Sequence, residues 1–212
     1  MAGHPTLTLD HVVYGTRDVA RSVHELERLL GVRAAPGGRH PGRGTHNALM
    51  SLGGERYLEI IGPDPAQPGF QGILPFGLDD LTDPKIVTWA AKAPDLEARV
   101  YAARAQGYDP GEILPRSREL PNGTVLKWRL TAAGESHPNW LVPFLIDWGD
   151  SPHPSRTAPA GLTLERLRAI HPDPEGTRKL LEALGVELEI ERGSSVQLIA
   201  HINAVRGAVE MR

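Results

Sequence analysis

The sequence contains no cysteine among its 212 residues. This excludes disulfide bonds, thiolate zinc sites and cysteine nucleophiles, so any metal ligand must be a nitrogen or oxygen atom. Basic residues are not in excess either, because 23 Lys and Arg against 26 Asp and Glu leave a net charge of −3. Nucleic-acid binding requires a clustered basic face. We therefore expect no nucleic-acid partner.

Long hydrophobic runs are also missing. No stretch approaches the roughly 20 apolar residues that a membrane helix needs, and residues 1–9 lack the basic and apolar regions of a secretory signal. We therefore expect a cytoplasmic protein without a membrane partner. Hydrophobic residues make up 40% of the chain and charged residues 23%, which is the balance of a globular protein that buries a core.

The first part of the chain follows a strand–helix–strand pattern. Residues 6–15 form a β-rich run, Asp18 stands at a helix N-cap position, and Gly31 ends the helix. The helix carries its apolar residues at helical spacing, at Val19, Val23, Leu26 and Leu30. A weak strand is expected at Val32–Ala35, followed by a Gly/Pro/Arg-rich loop over 36–44.

Two further strands, THNALMSL and ERYLEIIG, flank the Gly53-Gly54 turn and form a hairpin. The same order then recurs. A strand over 86–93 precedes a helix that Asp95 caps and Gly107 ends, and the strands PNGTVLKWRL and NWLVPFLIDWG follow. Such self-similarity predicts a repeated supersecondary unit.

A third, shorter copy occupies the C-terminal part. A strand over 162–170 precedes a helix that starts near Thr177 and ends at Gly185, and the strands VELEIER, VQLIAHINA and GAVEMR follow. Each helix is followed by two or three strands with tight turns, which favours antiparallel or mixed sheets over a doubly wound parallel sheet. The fold class predicted is α+β, built from repeated βαβββ modules.

The expected domain limits follow from this repeat. Residues 6–150 would hold two paired modules, 6–64 and 85–149, and residues 160–212 a shorter C-terminal unit packed on them. The segment 152–159, rich in proline, is the best candidate for the linker.

The strand YLEIIG carries the first candidate site residue. Side chains two residues apart share a face of a strand, so Tyr57 and Ile61 flank Glu59 on one face while the opposite face is aliphatic. A carboxylate that lines a concave interior needs a cation or hydrogen bonds to offset its desolvation. His11, on the first strand, could reach the same cavity. The two residues form either a functional site or a structural pair.

The turn length decides which neighbour joins Glu59. A two-residue turn at Gly53-Gly54 would place His46 on the Glu59 face, whereas a three-residue turn would place Asn47 there, since a one-residue slip exchanges the two faces. We expect one of them to bind substrate. Asp147, at the end of a strand, is a candidate for ligation, base catalysis or capping.

Two further strands supply the remaining candidates. Lys127 and Arg129 share a face that is either solvent-exposed or directed inward, in which case Arg129 would bind a substrate carboxylate or phosphate. Trp89 and Trp128 are either core residues or an aromatic wall of a small-molecule pocket. The remaining histidines lack the spacing of a ligand set and are expected at the surface or in turns, at His4, His40, His137, His153, His171 and His201.

Several segments together resemble a known family. LDHVVYGTRD, GGRHPGRGTHN, YLEIIGPDP, KWRLT and VPFLIDWG look like bacterial glyoxalase-like domain proteins. These belong to the vicinal-oxygen-chelate superfamily, with glyoxalase I, extradiol dioxygenases, methylmalonyl-CoA epimerase and the fosfomycin and bleomycin resistance proteins. The resemblance covers Leu9 to Trp148, with a looser extension beyond. It implies that two βαβββ modules curve into an incomplete barrel around a divalent metal.

The resemblance also implies a ligand set. The first module supplies His11 from its first strand and Glu59 from its last strand. In the second module the first-strand position falls at Thr88 or Trp89, and the last-strand position near Asp147. The nitrogen and oxygen donors would suit zinc, nickel, manganese or iron without selecting among them.

The function implied is that of a metal-assisted enzyme, of lyase, isomerase or dioxygenase type, on a small oxygenated metabolite. Glu59 or Asp147 would transfer the proton. The alternative is a protein of the same fold that binds or sequesters a small molecule without catalysis, and a third option is a structural role. One chain holds both modules, so either a monomer or a homodimer could form the cavity.

Overall fold

The first repeat builds one half of a barrel. A computed structural model describes residues 6–120, 122–132 and 140–212. Helix α1 begins where the Asp18 side chain accepts a hydrogen bond from the backbone of Arg21, and it ends at Gly31 in the left-handed conformation. The elements of this half are β1 (Thr8–Gly15), α1 (Val19–Leu30), β2 (Ala35–His40), β3 (Thr45–Ser51) and β4 (Tyr57–Pro63).

The second repeat supplies the other half. Its elements are β5 (Lys85–Lys92), α2 (Leu96–Ala105), β6 (Ile113–Glu119), β7 (Val125–Thr131) and β8 (Phe144–Asp147). The strand order around the barrel is β1-β4-β3-β2-β6-β7-β8-β5. The paired βαβββ arrangement is thereby confirmed. The expected strand starts at Pro121 and Asn139 lie outside the described residues.

The position of β2 differs from the expectation. A strand was expected at Val32–Ala35 and a loop over 36–44, whereas β2 covers the first half of that loop. Its glycines are the reason, because a Cβ on Gly38 would lie 2.1 Å from the backbone oxygen of Glu119 on β6. The close approach joins β2 to β6 through the single register pair Arg39–Glu119 and closes the barrel, which was expected to be incomplete.

The C-terminal unit forms a separate sheet. Its elements are β9 (Thr163–His171), α3 (Pro174–Leu184), β10 (Glu189–Arg192), β11 (Gln197–Ala204) and β12 (Gly207–Met211), and the strand order is β10-β9-β11-β12. Helix α3 contacts α2, and β11 contacts β5. Leu30, Leu96 and Leu181 belong to one hydrophobic cluster that spans both parts. The domain limits 6–150 and 160–212 stay a prediction.

The expected linker is packed against the barrel. Residues 154–156 form a 3-10 turn, and the backbone of Ser51 donates a hydrogen bond to Pro159. His153 is buried. The hydrogen bond from Ser51 and the buried His153 side chain therefore hold this segment against the barrel. No helix within the described ranges is long and apolar enough to cross a membrane.

Candidate functional site

The barrel encloses a cavity of about 1020 Å³. Buried polar side chains form one end, aromatic side chains form part of the wall, and the lining also includes the charged residues Arg43, Arg116, Lys127 and Asp150. The polar end contains His11, His40, Asn47, Glu59 and Arg118, and the aromatic wall contains Tyr57, Phe76, Trp128, Phe144 and Trp148.

His11 and Glu59 meet at the polar end. Strands β1 and β4 are parallel neighbours in which His11 pairs with Tyr57, so Glu59 lies two positions further along on the same face. His11 Nε2 and Glu59 Oε2 are 3.6 Å apart. The Tyr57 ring stacks on the imidazole, with 4.5 Å between ring centroids. The contact between the two residues chosen from the sequence is therefore direct.

Asp10 orients His11 from behind. A bulge between Leu9 and His11 turns the Asp10 side chain to the side of its neighbour, and Asp10 Oδ1 lies 2.6 Å from His11 Nδ1. Trp148 Nε1 donates to the other carboxylate oxygen at 3.2 Å, and His153 Nε2 lies 3.1 Å from it. Asp10 is fully buried, so these contacts replace its hydration.

The charge on Asp10 decides how the two imidazoles are protonated. Burial raises the pKa of Asp10, but the hydrogen bonds from His11 and His153 outweigh it and hold that pKa at about 2. An ionised carboxylate only accepts hydrogen bonds. His11 Nδ1 and His153 Nε2 must therefore carry the protons. In neutral His11, the Nε2 lone pair then faces Glu59.

Asn47 holds the other oxygen of Glu59. Its amide nitrogen donates to Glu59 Oε1, and its amide oxygen accepts from Arg118 Nη1 at 3.3 Å. The backbone N–H of Leu52 donates to the carbonyl oxygen of Arg56, so the turn between β3 and β4 contains three residues. This turn length places Asn47 on the same face as Glu59. The three-residue alternative for the hairpin is thus the one observed.

His40 borders the same group from β2. Its Nδ1 lies 2.9 Å from Thr45 Oγ1, and its Nε2 lies 3.5 Å from Asn47 Nδ2. Burial lowers the pKa of His40 to about 4. A neutral imidazole is therefore the form present near neutral pH, and it adds a polar group without adding a second positive charge beside Arg118.

His46 and Trp89 do not join these residues. His46 pairs with Gly62 on the opposite face of β3 and is not part of the cavity wall. Trp89 lies in the outer hydrophobic cluster, where its Nε1 donates to the backbone of Leu141. We expected His46 and Trp89 to bind substrate. The strand register corrects this expectation, because both side chains point away from the barrel interior.

Arg129 and Asp147 lie at the cavity rim. Arg129 Nη2 donates to Asp147 Oδ2 at 2.8 Å, and Nη1 donates to Glu97 of α2. The neighbours Trp128 and Leu130 point inward instead. The solvent-facing alternative for Arg129 is thus observed. Both carboxylate oxygens of Asp147 accept hydrogen bonds at this rim, one from Arg129 and one from the backbone of Gly149.

The counterparts of the pair in the second module are not ligands. Aligned on the helix N-caps, Thr88 stands where the first module has His11. Glu59 corresponds to Phe144, because both occupy the same register position in the β1–β4 and β5–β8 ladders. The last-strand position expected near Asp147 is therefore Phe144.

His11 Nε2 and Glu59 Oε2 are the two donor atoms that a divalent metal could bind at this end of the cavity. Two atoms bound to one zinc ion lie roughly 3 to 3.5 Å apart, which is close to the 3.6 Å between His11 Nε2 and Glu59 Oε2. A third ligand is lacking, since the described part of the chain has no group of three His, Cys, Asp or Glu side chains that could hold a metal. The residues do not fit a metal site with three or four protein ligands.

Four residues of the site were missed in the sequence. His40 and His153 were assigned to the surface or turns, and Asp10 and Arg118 were not considered. Asp10 could have been found from its position directly before His11, and Arg118 from its alternation with Arg116 in LPRSRE. Of the other histidines, His4 and His137 lie outside the described residues.

The sequence matches a family model described as a glyoxalase-like domain over residues 9–185. The chain belongs to this family. The match extends beyond the barrel of this glyoxalase-like protein to the end of α3. Comparison with curated proteins gave no significant match.

Solved structures with the same fold include a hypothetical protein from Staphylococcus aureus, with 15% identity, a TM-score of 0.70, and coverage of 95% of this chain and 92% of that chain. Methylmalonyl-CoA epimerase from Mycobacterium tuberculosis has 18% identity, a TM-score of 0.43, and coverage of 70% and 93%. A variant of the Streptomyces coelicolor epimerase, in complex with 2-nitronate-propionyl-CoA, has 16% identity, a TM-score of 0.45, and coverage of 70% and 99%. The first similarity shows the fold of the glyoxalase-like protein, and none of them assigns its activity.

Proposed function

We propose that the glyoxalase-like protein is an enzyme that transfers a proton on a small oxygenated metabolite inside the barrel. The gap of 3.6 Å between His11 Nε2 and Glu59 Oε2 carries the proposal. The Asp10 carboxylate binds the proton on Nδ1 of His11, so Nε2 is the ring nitrogen that faces the carboxylate oxygen of Glu59. Such a pair requires a donor between its members, which is either a shared proton or a hydroxyl group of a bound molecule.

The chain's own residues provide a route for that proton. Glu59 would take it from a carbon or hydroxyl next to a carbonyl group, and His11 would hold or return it at Nε2. Asp10, on the far side of the ring, would stabilise the resulting imidazolium. Asn47 would keep Glu59 in place through its amide hydrogen bond. Isomerisation and elimination by a lyase both include such transfers.

Metal-assisted chemistry would need ligands beyond His11 and Glu59, so no step is assigned to a metal. The same donor set is the reason that dioxygenation is not part of the proposal. Both modules that form the barrel belong to one chain. We propose on that basis that a monomer has a complete site, and a homodimer is not required.

One observation favours the non-catalytic alternative. Thr88 and Phe144 replace the polar pair in the second module, which leaves a single buried carboxylate–imidazole pair beside the aromatic part of the wall. Small-molecule pockets without catalysis have the same composition. A sequestering protein would therefore bind the same ligands without exchanging their protons.

Proton exchange separates the two functions. Small 2-oxo and 2-hydroxy acids are incubated with the protein in D2O, and deuterium at the carbon next to the carbonyl is followed by NMR. We expect exchange with the wild type and a loss of at least about 100-fold in His11→Gln and in Glu59→Gln. Glu25→Gln, on the exposed face of α1, is the control. Binding without exchange in the wild type would support sequestration and reject the enzyme.

A further inference from the structure

Arg118 is a buried cation inside the barrel. Its side chain is only 3% exposed and lines the cavity. Arg118 on β6 pairs with the buried residue Leu126 on β7. Residues that pair across two strands share a face of the sheet. The guanidinium is therefore held on the interior side of β6, close to the floor of the cavity.

The contacts of Arg118 do not neutralise its charge. Nη1 donates to the uncharged amide oxygen of Asn47, and Nε–H has no acceptor within the described residues. Arg118 forms no salt bridge with any carboxylate in the part of the chain that the structure describes. Arg129 at the rim differs, because it contacts both Glu97 and Asp147.

The buried guanidinium of Arg118 stays charged, because an arginine in a protein does not release its proton. An unpaired charge in a protein interior is strongly unfavourable unless an opposite charge and hydrogen bonds accompany it. Asn47 lies between Arg118 and Glu59 and forms a hydrogen bond with each of them. The interior of the barrel therefore has a place for an anion beside Arg118.

We infer that Arg118 binds the carboxylate of a small organic acid, whose reacting carbon then lies at Glu59 and His11. The planar guanidinium matches a carboxylate, and Arg118 is more deeply buried than Arg116 and Arg129, which line the same cavity. A phosphate dianion would bring excess negative charge close to Glu59. This inference rests on the proposed function for the reacting end of the ligand, but the binding of the acid does not.

The geometry of Asn47 links both ends of such a ligand. Its two amide atoms contact Arg118 and Glu59, so the anion site and the proton-transfer pair are one side chain apart. Trp128 and Trp148, with 5.1 Å between ring centroids, form the apolar wall beside them. A compact acid with an apolar substituent could contact all three parts at once.

Binding is measured by tryptophan fluorescence and by calorimetry with pyruvate, benzoate, benzamide and inorganic phosphate. We expect the wild type to bind at least one of the two carboxylates and to bind benzamide and phosphate more weakly. Arg118→Gln should weaken carboxylate binding by at least about tenfold, the effect of losing one charge-assisted hydrogen bond. Arg21→Gln, on the exposed face of α1, should leave it unchanged.

A second variant tests whether a loss of binding results from misfolding. Arg118→Met removes the charge and keeps an apolar chain of similar length, but it also removes the donor to the Asn47 amide oxygen; without ligand it should still unfold in one cooperative transition, like the wild type. Added benzoate should raise the melting temperature of the wild type and not that of Arg118→Met. An equal benzoate-induced rise in both proteins would contradict the carboxylate site.

Other outcomes overturn the inference as well. Equal carboxylate affinity in the wild type and Arg118→Gln would do so, and so would preferred binding of phosphate or a larger loss in Arg129→Gln. The proposed function fails separately. Carboxylate binding through Arg118 without deuterium exchange would reject the enzyme alone, whereas exchange that Arg118→Gln leaves unchanged would reject the carboxylate site alone.

Discussion

Asp10 and His11 are consecutive in the chain, yet their side chains meet, with 2.6 Å between Asp10 Oδ1 and His11 Nδ1. In a regular strand they would point to opposite faces. The bulge in β1 brings them together. The histidine at the polar end of the cavity is therefore oriented by its own neighbour, and its free nitrogen faces Glu59.

Asp10→Asn should separate the orientation of the His11 ring from the binding of the organic acid. An asparagine can donate to His11 Nδ1 and so place the ring proton on Nε2, which removes the lone pair that faces Glu59. We expect the deuterium exchange rate to fall by about 100-fold or more, with carboxylate affinity retained. The exchange rate and the Kd for benzoate are measured side by side, with Asp109→Asn as the exposed control. Equal losses in both would mean that Asp10 serves only the fold.

Asn47→Ala should destabilise the protein through two groups. The change leaves Glu59 Oε1 and Arg118 Nη1 without their shared partner, and each unsatisfied buried group costs about 1 to 3 kcal/mol. We expect the free energy of unfolding in urea to fall by about 2 kcal/mol or more. Asn203→Ala removes an exposed hydrogen bond to Glu165 and should stay within about 0.5 kcal/mol of the wild type. Similar losses in both variants would contradict the bridging role.

Gly38→Ala should open the seam between β2 and β6. Gly38 has a φ of 147°, and a Cβ there would lie 2.1 Å from a backbone oxygen, so the strands must separate. A destabilisation of about 3 kcal/mol or more is expected. Gly42→Ala is the matched control, because Gly42 has a positive φ of 68° with nothing within 4 Å. Its cost should be only about 1 kcal/mol. Urea unfolding compares the two, and equal costs would show that the close approach is unimportant.

His40 should make stability depend on pH. Burial lowers its pKa from 6.5 to about 4, so the unfolded chain binds more protons between these values. The stabilisation is complete above pH 6.5 and is lost as the pH falls through about 4. The change amounts to something on the order of 3 kcal/mol. Unfolding in urea at about pH 7 and about pH 4 should show a smaller difference for His40→Gln than for the wild type. Identical differences would place the titration elsewhere.

Local sequence patterns predicted much of the fold and part of the site. The alternation in YLEIIG places Glu59 on the interior face, and the helix caps Asp18 and Gly31 stand where α1 begins and ends. These features depend on residues within one turn or one strand. They could therefore be found without knowledge of the tertiary structure.

The remaining site residues depend on long-range contacts or on irregular backbone. His153 reaches Asp10 from 143 positions away, and no spacing indicates such a contact. Arg118 belongs to a strand that contains Pro115 and few apolar residues, so β6 was not expected. The choice between His46 and Asn47 depended on one residue in a turn, which strand pairing determines and composition does not.

Deuterium exchange in chelator-treated protein tests the central claim most directly. The claim is that Glu59 and His11 move a proton on a small acid through the chain's own residues. Wild-type protein freed of metals with EDTA should retain its exchange rate, while Glu59→Gln treated in the same way should lose at least about 100-fold. Elemental analysis of both samples confirms metal removal. Loss of exchange on chelation, with recovery on addition of one divalent metal, would contradict the account, as would equal rates in the wild type and Glu59→Gln.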